Sequence, residues 1–164
     1  MREASDGIYL IAMGSNRRHH RIGPPERVLE AAMEALAAED VDILALAPAI
    51  HTRPIGPSSR TYANSAALIR TGLAPDDLLL LLKAIEARFG RRRGQRWSAR
   101  TLDLDIILWS GGAWRTRRPD LMIPHPRYPD RSFVLQPAAR IARHLRHPAS
   151  GRTIAHLLHR ATRG

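Results

Sequence analysis

The spacing of apolar residues changes several times along the chain, and each change marks an element. The run "IYLIAM" at 8–13, closed by Gly14, has the length of a buried strand. After Pro24 and Pro25, apolar residues fall at Val28, Leu29, Ala32, Met33 and Leu36, one stripe at helical spacing, so a helix follows that strand. Residues 41–52 alternate imperfectly and 63–71 supply another strand across a Pro/Gly/Ser-rich connection; the two are expected to pair. Pro75, Asp76 and Asp77 open a second helix that runs through Leu78 to Phe89 and stops at Gly90. Residues 100–108, "RTLDLDIIL", read as a further strand. Side chains alternate in a strand, so Leu102, Leu104, Ile106 and Leu108 are expected on one face and Asp103 and Asp105 on the other, with the aspartate Cα atoms roughly 7 Å apart. The order β-α-β-β-α-β predicts an α+β fold with a ferredoxin-like core, and the Pro- and Arg-rich remainder is expected to add one or two C-terminal helices, such as "TIAHLLHRA" at 153–161. No repeat or linker interrupts the pattern, and 164 residues suit one domain spanning 1–164.

Charge narrows the partners. With 26 basic against 15 acidic residues the net charge is +11, and every basic residue except Lys83 is arginine. Such a chain favours anions: nucleic acid, a phosphorylated small molecule or anionic lipid. The absence of cysteine excludes a disulfide framework and thiolate chemistry. The N-terminus shows no basic-then-apolar signal segment, and the longest apolar run, "LLLLL" at 78–82, is too short to span a bilayer, so a cytoplasmic protein without membrane contact is expected.

Two features carry candidate chemistry. Paired carboxylates at a strand end suit one or two hard cations, or else form a solvated face matched to arginines. Immediately before them lies "EARFGRRRGQRWSARTLDLD", Glu86 to Asp105, in which Arg88, Arg91, Arg92, Arg93, Arg96 and Arg100 accompany Gly90, Gly94 and Trp97. Guanidinium groups present planar donors to phosphate oxygens, so arginines beside paired aspartates could clamp a metal-bound polyphosphate. The same stretch also reads as a charged surface loop, or as a nucleic-acid patch with Trp97 stacking on a base.

Taken together, "GSN" at 14–16, "TRPIGP" at 52–57, "YAN" at 62–64, Glu86, "GRRR" at 90–93, "RWSARTLDLDI" at 96–106 and "PHPR…DRSFVLQP" at 124–137 resemble the 6-hydroxymethyl-7,8-dihydropterin pyrophosphokinase family of folate biosynthesis, from about Ile8 onward. The resemblance implies transfer of the pyrophosphoryl group of ATP to the pterin's hydroxymethyl oxygen, with AMP leaving. It implies that Asp103 and Asp105 hold two magnesium ions on the ATP phosphates, and that Arg91, Arg93 and Arg100 contact the triphosphate. His125 and Arg131 match nucleotide-phosphate contacts, and Glu86 matches the adenosine side. For the pterin it implies stacking by Tyr62 and Phe133, an amide edge met by Asn64, contributions from Thr52 and Gly56, and Trp97 on the same side. Aromatic faces suit a flat electron-poor ring, and buried amides specify its edge.

Departures from the family pattern lie in the loops. "GPSSRTYAN" is about one residue short before Tyr62, with Arg60 where Gln-Pro is common; Arg53 takes a site usually smaller or acidic, and "RGQRW" is slightly short. No "GxxxxGK[ST]" phosphate loop is present. The rival is a ferredoxin-like basic nucleic-acid-binding module, but 41–52 and 63–71 carry no aromatic residue to stack bases, so no nucleic-acid partner is expected. A monomer is expected.

Overall fold

The computed structural model describes residues 6–52, 62–90 and 101–163. Strand β1 (Gly7–Ser15) leads to helix α1 (Pro25–Ala37), then β2 (Asp42–Leu46), β3 (Ile50–Thr52), β4 (Tyr62–Thr71), helix α2 (Pro75–Arg88) and β5 (Asp103–Trp109). A hairpin of β6 (Trp114–Arg117) and β7 (Asp120–Ile123), a 3-10 turn at Tyr128–Asp130, and helices α3 (Ser132–Ala142) and α4 (Ile154–Arg163) complete the chain. The main sheet is ordered β2-β4-β1-β5, with β3 also on β4, and every pairing in it is antiparallel.

Alternation along β1 decides what covers each face. Tyr9, Ile11 and Met13 enter one apolar cluster with Val28, Leu29, Ala32, Met33 and Leu36 of α1 and Leu78, Leu82 and Ile85 of α2. Leu10 and Ala12 enter a second cluster with Val134, Leu135 and Ala138 of α3 and Ile154 and Leu157 of α4. Helices α1 and α2 therefore cover one face, and α3 with α4 cover part of the other. Both α1 and α2 start with proline at the first helical position, where the missing N–H removes no intrahelical bond. The hairpin is tied to the start of α2 by Trp114 Nε1, which donates to Asp76 Oδ1 at 2.6 Å. Among the described residues no helix is long and apolar enough to cross a membrane.

Two expectations need correction. Residues 41–52 form two strands, not one, because Pro48 lies between β2 and β3 and has no N–H for the ladder. Leu108 does not share a face with Leu102, Leu104 and Ile106. The β1–β5 pairing shifts between Leu10 and Ile11, which oppose Leu108 and Ile106, so Ile107 is an extra residue in β5. Leu108 then packs with the α3 side, while Leu102, Leu104 and Ile106 pack with the α1 side.

Candidate active site

Cross-strand register lines up the functional side chains. Asn64 pairs with Gly14 and Gly14 with Asp103, while in the next row on the same face Ala66 pairs with Ala12 and Ala12 with Asp105. The carboxylates thus flank two small residues of β1, Gly14 and Ala12, on the face that α3 covers only in part. Two strand spacings separate the Asn64 and Asp103 backbones, roughly 9–10 Å. Gly14 leaves room for this amide: a Cβ on it would lie 3.3 Å from Asn64 Oδ1, which would have to give by a few tenths of an ångström. The Asn64 side chain is fixed further by Nδ2, which donates to Thr52 Oγ1 at 2.9 Å.

A cleft of about 710 Å³ opens over these rows. It gathers Thr52, Tyr62, Asn64, Asp103, Asp105, His125, Arg131 and Phe133, all named from the sequence. Tyr62 starts β4 and Phe133 sits in the first turn of α3; each is 37% exposed, which leaves aromatic surface available to a ligand. Arg131, at the N-cap of α3, holds its guanidinium carbon 5.6 Å from the centre of the Phe133 ring.

His125 is tied to the extra residue in β5. Its N–H donates to the carbonyl of Ile107 at 3.0 Å, and Ile107 itself lines the cleft. Burial lowers the His125 pKa from its ordinary value; Asp105 acts in the opposite sense, and Arg131 and Arg127 add to the lowering. The ring is therefore neutral near pH 7. Its Nδ1 accepts the Arg127 N–H at 3.2 Å, so the proton sits on Nε2, which is a donor.

Glu86 is not among the cleft-lining residues. It is 7% exposed, and its Oε1 accepts the N–H of Leu104 at 2.9 Å from behind the aspartate strand. Burial raises its pKa, an effect the Leu104 N–H offsets and the charge of Asp103 reinforces. Gly56, Arg91, Arg93, Trp97 and Arg100 lie outside the described residues. Ser65, Ile107, Ser132 and Val134 also line the cleft and were not singled out from the sequence. Period-2 spacing from Asn64 carries no signal for Ser65, and nothing local marks Ile107 as the extra residue.

Oxygen donors of this kind fit a hard cation. Magnesium is commonly held by one or two carboxylates with the remaining positions left to phosphate and water, which suits Asp103 and the exposed Asp105 on one open face.

Residues 10–143 match the family described as 7,8-dihydro-6-hydroxymethylpterin-pyrophosphokinase. Proteins named 2-amino-4-hydroxy-6-hydroxymethyldihydropteridine pyrophosphokinase are similar over most of the chain. The one from Pseudomonas aeruginosa is 39% identical over 150 residues, 90% of this chain and 88% of its own length. The one from Synechocystis is 37% identical over 150 residues, 91% of this chain and 73% of its own. Among solved structures, a triple mutant of Plasmodium falciparum HPPK-DHPS superposes with a TM-score of 0.75 at 12% identity, covering 98% of this chain. This chain spans 44% of that one, and at such identity the likeness concerns the fold. Relatedness at the level of sequence is settled by the family match and the bacterial relatives: the chain belongs to the 7,8-dihydro-6-hydroxymethylpterin-pyrophosphokinase family.

Proposed function

We propose that the cleft transfers the diphosphoryl group of ATP to the hydroxymethyl oxygen of 6-hydroxymethyl-7,8-dihydropterin, in folate synthesis. The observation that carries this reading is the placement, on one sheet face in a member of this family, of two carboxylates beside an amide-and-aromatic wall. The pterin stacks between Tyr62 and Phe133, and Asn64 with Thr52 meets its amide edge, an edge the wrong ring would leave unpaired.

The hydroxymethyl oxygen attacks the β-phosphorus in line and gives up its proton to water. The bond from that phosphorus to the oxygen bridging the α-phosphate breaks, and AMP leaves with the bond's electron pair. Asp103 and Asp105 would hold magnesium, two ions in this reading, and the metal would supply screening of the polyphosphate charge. His125 offers its Nε2–H and Arg131 its guanidinium to phosphate oxygens, each fixed by its own contacts. Arg91, Arg93 and Arg100 are assigned to the triphosphate, and Gly56 and Trp97 to the pterin side, on the family resemblance of their motifs. Glu86 supports the aspartate strand from behind, a role its hydrogen bond to Leu104 favours over contact with adenosine. A ferredoxin-like core is part of the same reading, supported by the strand order β2-β4-β1-β5, with α1 and α2 on one face.

Incubation with ATP, magnesium and the pterin tests this directly. AMP is expected to rise in step with pterin diphosphate; stoichiometric ADP, or ATP loss without the pterin, would overturn it.

A further inference from the structure

A second cavity, of about 240 Å³, shares no lining residue with the cleft. Arg17, Arg18, His19 and His20, from the segment joining β1 to α1, form one wall, with Phe89 and Thr101 on the other. No carboxylate lines it, and neither arginine is in an ion pair among the described residues.

The wall is built on a fixed backbone. His19 and Gly23 exchange two N–H···O bonds of 2.9 Å, with Gly23 at φ +118°, so the turn that carries the histidines is closed on itself. The His19 ring stacks on His20 at 4.7 Å and meets the edge of Phe89 at 6.3 Å. Its Nδ1 accepts the Arg21 N–H at 3.1 Å, so in the neutral ring Nε2 carries the proton and donates. Across the cavity Gly90, at φ +109°, would place a Cβ 3.5 Å from Thr101 Oγ1, which brings a hydroxyl close to the opposite wall's base.

Donors without a counter-charge gathered around a partly open hollow concentrate anions. Guanidinium forks match phosphate oxygens, and the volume is below the roughly 300 Å³ at which clefts for larger organic ligands begin. We propose that this cavity is a separate oxyanion site that takes an inorganic diphosphate ion. It goes beyond the transfer reaction and does not depend on the pterin reading. The same chemistry could come from a free diphosphate ion or from the phosphates of a nucleotide lying in the cleft, and the arms of the test separate the two.

Inorganic diphosphate is titrated calorimetrically, without magnesium, into the full chain and into the Arg17→Ala/Arg18→Ala double variant. Both arginines are exposed, so the fold should survive, and equal unfolding midpoints check this. The expected result is diphosphate binding weakened at least tenfold in the variant, with affinity for a non-hydrolysable ATP analogue plus magnesium, and turnover, within twofold of the parent. Amide signals of His20 and Thr101 should move with diphosphate while that of Asn64 stays. Absence of diphosphate binding at millimolar concentration, equal binding by parent and variant, or ATP-analogue affinity falling in parallel with diphosphate affinity would each overturn the proposal.

Discussion

Glu86 Oε1 accepts the N–H of Leu104 at 2.9 Å, and Leu104 is the residue between the two aspartates of the cleft. A buried side chain of α2 thereby fixes the backbone from which both carboxylates project. Glu86→Ala leaves the Leu104 N–H without this acceptor, which costs about 1–3 kcal/mol of stability, and lowers turnover through displaced carboxylates. Glu86→Gln keeps an acceptor oxygen and should recover most of both. Unfolding midpoints and turnover of the pair are the check; an Ala variant as stable and active as the parent contradicts the support role.

Asp103→Asn and Asp105→Asn should each reduce turnover by about 10²-fold or more if, as proposed, each is a ligand to the phosphate-bound cation. Stability should change by no more than about 0.5 kcal/mol for the exposed Asp105. Turnover at saturating magnesium is decisive, and near-parental rates for both would remove the metal assignment.

The parts legible in the sequence are those whose physics is local. The α1 stripe of Val28, Leu29, Ala32, Met33 and Leu36 is the buried face found, and Pro75 and Gly90 bound α2 as expected. The common face of Asp103 and Asp105 follows from alternation alone. What escaped depends on partners distant in the chain. The β6–β7 hairpin is masked by "WRTRRPD", whose arginines and proline do not read as strand, and is held by Trp114 on Asp76. Helix α3 contains Pro137, which removes the bond to the Phe133 carbonyl and reads as a breaker, yet Val134, Leu135 and Ala138 bury against the sheet and outweigh it.

Phe133→Ala should weaken pterin binding about tenfold while leaving affinity for an ATP analogue within a factor of a few, since an aromatic contact is worth about 0.5–1.5 kcal/mol beyond its buried area. Tyr62→Ala should behave alike. Fluorescence titration of the pterin against each variant measures it. Equal losses for nucleotide and pterin would mean that the two rings organise the cleft as a whole.

His125 is held below its ordinary pKa, so the folded protein prefers the neutral ring. The stability linked to that ring is present above the unfolded value of about 6.5 and is lost as pH falls from there through the lower folded value. His125→Gln, which cannot ionise, should therefore lose less stability than the parent between about pH 7 and pH 5. Denaturant midpoints at both pH values read the difference, and parallel losses would show that burial of this imidazole is not sensed by the fold.

The extra residue in β5 makes two single-codon deletions in one strand unequal. Removing Ile107 would leave Ile106 and Leu108 opposite Ile11 and Leu10, as they already are, so the fold should persist with a gap in the wall of the cleft and no carbonyl at that position for His125. Removing Leu104 would instead turn Asp103 toward the apolar side chains of α1 and α2, beside the buried carboxylate of Glu86. Mutational tolerance along this strand should thus follow the phase of its side chains and not their distance from the site, with a chain that folds but works poorly after the first deletion and one that fails to fold after the second.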